Sequence, residues 1–156
     1  MSSDTNFEIS RSAKIEAGPE RIFPLIDQFR EWTKWSPWEG IDPDLARDYQ
    51  GPAAGVGGIY SWNGNRKVGE GRMENVGSVP NERVEVELEF IKPFKARNLA
   101  TFTLKPATGG TEVTWTMTGH QSFFQRAMGK LFRMDAYLGR EFEKGLSQLK
   151  ASAESD

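Results

Sequence analysis

The sequence predicts an α+β fold: an antiparallel sheet of about seven strands, covered on one face by a long C-terminal helix. Three observations predict it. Seven segments carry strand-like patterns, and the clearest of them alternate apolar and polar residues at a period of two. Two glycine-containing turns, Asn63-Gly64 and Gly109-Gly110, join neighbouring segments as hairpins. The last third of the chain changes to a helical period.

In chain order, "FEISRSAKIEA" sets Phe7, Ile9, Ala13 and Ile15 against polar neighbours and reads as the first strand. "GPERIFPLI" opens a short helix, with Pro19 in its first turn, and Pro24 is expected to kink or end it. "QFREWTKW" then carries a second short helical stretch that Pro37 stops. The segments "ARDYQG", "GIYSW", "GEGRMENV", "ERVEVELEFI", "ARNLATFTLKP" and "TEVTWTMTG" read as strands. In the best of them, Val84, Val86, Leu88 and Phe90 face one way and Glu85, Glu87 and Glu89 the other, so one face is dry and one wet. From Phe124 a stripe of Phe124, Met128, Leu131, Leu138, Phe142, Leu146 and Leu149 marks the covering helix, with an interruption expected near Met134.

Two features of that helix need explaining. Asp135 falls on the apolar stripe, and Gly139 and Gly145 each cost about 1 kcal/mol relative to Ala in a helix. One explanation is structural, with Asp135 as a cap and the glycines as points of close approach. The other is functional, with the glycines leaving volume beneath the helix and Asp135 pointing into it.

With 156 residues, the chain suits one domain burying about two thirds of its unfolded surface. No repeat or linker divides residues 1–156, and 1–6 and 152–156 are expected as disordered tails. A net charge of −2, with basic and acidic residues interspersed, gives no face for nucleic acid and no cationic segment for stable membrane insertion. With no cysteine and one histidine, no metal site or cofactor is expected. The glycines of "GVGGIY" and "GEG" form no phosphate-binding motif and read as bends. The start "MSSDTNFEIS" lacks a signal sequence, and the expected location is cytoplasmic.

The residues "WSPW" (35–38), "GVGGIYSWNG" (55–64), "GEGRM" (69–73), "TEVTWTMTG" (111–119) and "GREFEKGLSQLK" (139–150), in this order of elements, resemble the START-like helix-grip superfamily. Within it the chain is similar to the polyketide cyclase/dehydrase and lipid-transport-like branch. The resemblance implies two short helices after the first strand, a curved sheet gripping the long helix, and a deep cavity between them.

In that layout Trp35 and Trp38 run along the cavity mouth, while core packing competes for both and claims Trp32 first. Strand parity adds Tyr60, Trp62, Met73, Asn75, Leu88, Phe90, Phe102, Trp115 and Met117 to the inward wall, and the helix stripe adds Leu138 and Phe142. Such a wall suits a small hydrophobic or aromatic ligand, lipid- or polyketide-like, oriented by a few hydrogen bonds. The alternative is a metal-free cyclase or dehydratase using the same cavity, with Tyr60, Asp135 or His120 moving a proton. A third reading is a protein-interaction module of the kind that activates a chaperone ATPase. A homodimer is left open.

Overall fold

A computed structural model describes residues 6–39, 42–65, 69–92, 95–120 and 131–155, with 6, 7, 120 and 131–137 described in backbone only. Strand β1 (Asn6–Ile15) leads into helix α1 (Pro19–Asp27) and a 3₁₀ helix (Phe29–Lys34). Six strands follow: β2 (Ala46–Gln50), β3 (Ile59–Asn63), β4 (Glu70–Val79), β5 (Arg83–Lys92), β6 (Ala96–Ala107) and β7 (Gly110–His120). Helix α2 (Leu131–Glu154) comes last. The strands form one antiparallel sheet in the order β1-β7-β6-β5-β4-β3-β2, the α+β helix-grip arrangement.

Pairing carries the alternation of each strand across the sheet. Val84 lies opposite Phe102 and Phe102 opposite Trp115, so one row of inward residues spans three strands. The next rows run Val86–Ala100–Met117 and Leu88–Asn98–Gly119. The β6–β7 hairpin closes tightly between Ala107 and Gly110, with Gly109 at φ 78°, a conformation that glycine adopts without strain.

Helix α2 runs alongside β1 in the same direction. Arg11 Nε meets Glu143 Oε2 at 3.1 Å, and Glu154 Oε2 accepts from the Glu16 amide at 2.7 Å. At 1.5 Å per residue, Leu131 stands about 12 Å before Gly139, roughly the distance from Arg11 back to Phe7 along β1. The first turns of α2 therefore stand at the end of the sheet where Leu88, Asn98 and Gly119 form a row.

Three expectations are corrected. Pro24 does not end α1, which runs to Asp27. An interior proline costs about 3 kcal/mol, but Ile22, Leu25 and Ile26 are buried on either side of it and each is worth about 1.5–3 kcal/mol. Helix α2 passes Met134 without a break. It also runs through residues 152–154, expected as a tail, because Ala153 is buried against the core. Residues 1–5 and 121–130, including Phe124 and Met128, lie outside the described residues.

Both helical glycines have a packing reason. A Cβ on Gly145 would stand 2.9 Å from Pro37 Cδ and from Trp115 Cζ3, so the helix touches both. A Cβ on Gly139 would collide with the Arg11 guanidinium. The volume that these glycines leave is occupied.

Candidate functional site

The tryptophans of "EWTKWSPWEG" are placed by the end of α1. A helix leaves its last carbonyls without intrahelical donors. Trp32 Nε1 donates to Ile26 O at 2.8 Å and Trp35 Nε1 to Leu25 O at 2.7 Å, both buried. The two indoles therefore cap α1 from the following 3₁₀ turn while their rings fill the core. Trp35 is fully buried, tilted against Trp32 and edge-on to Phe102 and Trp115 at centroid distances of 4.6 to 5.8 Å. This corrects the placement of Trp35 at a cavity mouth, since its N–H is already engaged.

Trp115 continues the cluster. It stacks face to face on Phe142 at 4.1 Å and tilts against Phe102 at 4.9 Å. Its Nε1 is buried and has no hydrogen-bond partner, alone among the described side chains. The opposite corner of its ring, Cζ3, abuts Gly145, so the N–H points away from that glycine. Trp38, half-buried, meets Trp115 and Phe142 edge-on at 6.2 and 6.5 Å.

A different aromatic group occupies the other end of the same face. Tyr49, Tyr60 and Trp62 form a ladder with centroids 5.0 and 5.9 Å apart, and Phe90 closes it edge-on at 6.0 Å. Gly71 lies opposite both Trp62 and Phe90, and a Cβ there would stand 2.6 Å from Trp62 Cζ2. Glycine at position 71 thus lets the indole lie flat on the sheet. Trp62, Leu88 and Phe90 are half-buried, as is Leu138 on α2.

A polar rim borders this strip. Arg47 pairs with Glu39 and stands beside the Tyr60 hydroxyl. Burial, then the nearby negative charge of Glu39, pushes the Tyr60 phenol up to about 12. Tyr60 is therefore a neutral donor at physiological pH. Burial also raises the Tyr49 phenol.

The remaining expected site residues divide. Met73, Met117, Phe102 and Phe142 are buried in the core. Asn75 is fully buried, with its amide donating to Asp27 Oδ1 at 3.0 Å and its Oδ1 accepting from the Gly77 amide at 3.1 Å. It fastens α1 to the bulge of β4, where the register shifts between Asn75 and Gly77. His120 closes β7 opposite Asn6, and Asp135 lies in the second turn of α2; their side chains lie outside the described residues.

Sequence reasoning missed Tyr49, Arg47 and Glu39. Strand parity carried the signal for two of them, since Arg47 and Tyr49 alternate along β2 and pair with Trp62 and Tyr60. Glu39 lies in an irregular turn and gives no periodic signal.

Among the described residues no helix is long and apolar enough to cross a membrane, and no group of three or more His, Cys, Asp or Glu could hold a metal ion.

Residues 6–154 match the model of a family described as polyketide cyclase / dehydrase and lipid transport. No curated protein matches the chain by sequence. A solved protein from Chromobacterium violaceum is 21% identical at a TM-score of 0.65, with 96% of this chain and 98% of that chain covered. One half of the di-domain ARO/CYC BexL of the BE-7585A biosynthetic pathway aligns at a TM-score of 0.71 and 14% identity, covering 97% of this chain and 51% of that one. The Aha1 dimer from Colwellia psychrerythraea aligns at 0.54 and 19%, covering 89% and 96%. At these identities the likeness to solved structures is one of fold.

Proposed function

Because the chain belongs to the polyketide cyclase / dehydrase and lipid transport family, we propose that it binds a small hydrophobic or aromatic molecule on the concave face, between the β3–β5 strip and the first turns of α2. The observation that carries this reading is the strip itself. Trp62 on β3 and Leu88 and Phe90 on β5, either side of Gly71 on β4, point inward yet remain half-buried, while Val84, Val86, Phe102, Trp115 and Met117 on the same face are packed shut. Large apolar side chains left partly open on a concave surface favour an apolar guest.

The polar rim supplies orientation. Tyr60, kept protonated, and Arg47 both offer N–H or O–H donors to a carbonyl or hydroxyl at the edge of a flat ligand. At about 0.8 kcal/mol per buried CH₂, a ten-carbon ligand gains roughly 8 kcal/mol before immobilisation costs, which sets the expected affinity at micromolar or weaker.

A cyclase or dehydratase reading rests on the same phenol. A hydroxyl held neutral beside Arg47 and Glu39 serves as a proton donor to a carbonyl oxygen and not as a base. On this reading Tyr60→Phe abolishes turnover while retaining ligand.

Native mass spectrometry of the chain purified from its own host, with extraction of any bound small molecule, tests the binding reading. The expected result is an apolar species that is lost from a Trp62→Ala, Leu88→Ala double variant. Retention of the same species by the double variant would refute this placement.

A further inference from the structure

A small recess lies behind the Tyr49 end of the aromatic ladder, between the 3₁₀ helix and the loop after β2, with a volume of about 100 Å³. Asp27, Arg30, Tyr49 and Gln50 are part of its lining. Asp27 is the last residue of α1, where the helix dipole presents its negative end and disfavours a carboxylate; that turn holds no basic residue. The residue is nonetheless buried, 8% exposed. Its Oδ1 accepts from two neutral donors, Asn75 Nδ2 at 3.0 Å and Ser78 Oγ at 2.8 Å, and its Oδ2 accepts from none of the described residues. Fastening α1 to β4 requires an acceptor there but not a charge, so the charge is unexplained by packing.

Arg30 lines the same recess. Its guanidinium lies 4.1 Å from the centroid of Tyr49, and neither it nor Asp27 takes part in any ion pair among the described residues. One recess thus presents a carboxylate and a guanidinium, three residues apart in sequence, that are not paired with each other. A bare cation entering it meets the charge of Arg30, and a bare anion meets that of Asp27. A guest with both charges satisfies both. At about 100 Å³ the recess is well below the 300 Å³ or more of a drug-sized pocket, which suits a guest of a few heavy atoms.

We propose that this recess binds a small zwitterion of α-amino-acid size, its ammonium donating to Asp27 Oδ2 and its carboxylate accepting from Arg30. The recess touches the aromatic ladder through Tyr49, but neither Asp27 nor Arg30 belongs to the concave strip, so the two sites are tested separately.

Titration of the ¹⁵N-labelled full chain with glycine, methylammonium or acetate, followed by amide NMR, tests the proposal. Glycine is expected to shift the amides of Gly51, Gly58 and Ile59 with an apparent Kd at least about tenfold below that of either singly charged probe. Arg30→Gln, at an exposed side chain, and the near-isosteric Asp27→Asn are each expected to weaken glycine binding about tenfold or more. No shift up to about 100 mM glycine, equal responses to the three probes, or unchanged binding by Arg30→Gln would overturn it. If Asp27→Asn does not fold, Arg30→Gln and the probe comparison still decide.

Discussion

At one end of the concave face, Trp32, Trp35, Phe102, Trp115 and Phe142 pack ring on ring, none more than 7% exposed. At the other, Trp62, Leu88 and Phe90 use the same kinds of side chain and stay half-open. The difference lies in what borders each group. The sealed end is closed by α1 and the 3₁₀ helix, whose two indoles reach back to the carbonyls of Leu25 and Ile26. It is also closed by a stretch of α2 whose glycine admits Pro37 and Trp115. The open end has a glycine in the sheet, not in the helix, so its indole lies flat on β4 and stays half-buried. Hydrogen bonds to the α1 carbonyls therefore hold Trp32 and Trp35 in the core, whereas the Trp62 ring stays half-buried on the sheet.

The largest expected effect is on stability at the sealed end. Trp35→Ala should cost about 3–5 kcal/mol by denaturant unfolding, whereas Trp62→Ala should cost less than about 2, because its ring is only half-buried. Equal costs would erase the distinction between the two ends. Trp35→Phe isolates the capping hydrogen bond: it keeps an aromatic ring but leaves Leu25 O buried without its donor, for about 1–3 kcal/mol.

The helical glycines sharpen the comparison further. Gly145→Ala should destabilise by about 1–3 kcal/mol despite Ala's better helix propensity, since its Cβ meets the packed Pro37 and Trp115. Gly139→Ala should lie within about 1 kcal/mol of the parent, since the group it meets is the movable end of Arg11. Equal losses in the two variants would mean that Arg11 is held as firmly as the core.

The effect confined to the narrowest conditions is a pH dependence. Tyr60 binds its proton more tightly folded than unfolded, so the folded state holds more protons between pH 10 and about 12 and stability falls as pH rises through that range. Tyr60→Phe should remove that part of the slope. An unchanged slope in alkaline urea titrations would show that the phenol is not shielded.

Much of this was legible in the sequence because it is periodic. The alternation in "RVEVELEF" and "TEVTWTMTG" placed Val84, Val86, Trp115 and Met117 on the buried face, and the apolar stripe found α2. What escaped was aperiodic. The engagement of Trp35 depends on a ten-residue return from the 3₁₀ helix to Leu25 O, which no repeat encodes. Local propensity leaves Pro24 as a kink or an end of the helix because it carries no term for the packing of Ile22 and Ile26 on either side of it. Nothing periodic marks Asp27 in the sequence, and only the fold brings Asn75 and Ser78 to it.

An apolar guest that enters at Trp62 does not reach the capped tryptophans. Each of the five tryptophans gives one indole N–H signal, so a ¹⁵N titration with an apolar aromatic probe such as 1-anilinonaphthalene-8-sulfonate reads all of them at once. The account predicts that the Trp62 signal moves to saturation while those of Trp32 and Trp35 stay in place. Movement of Trp32 and Trp35 with Trp62 unchanged, or no movement of any indole, would contradict it.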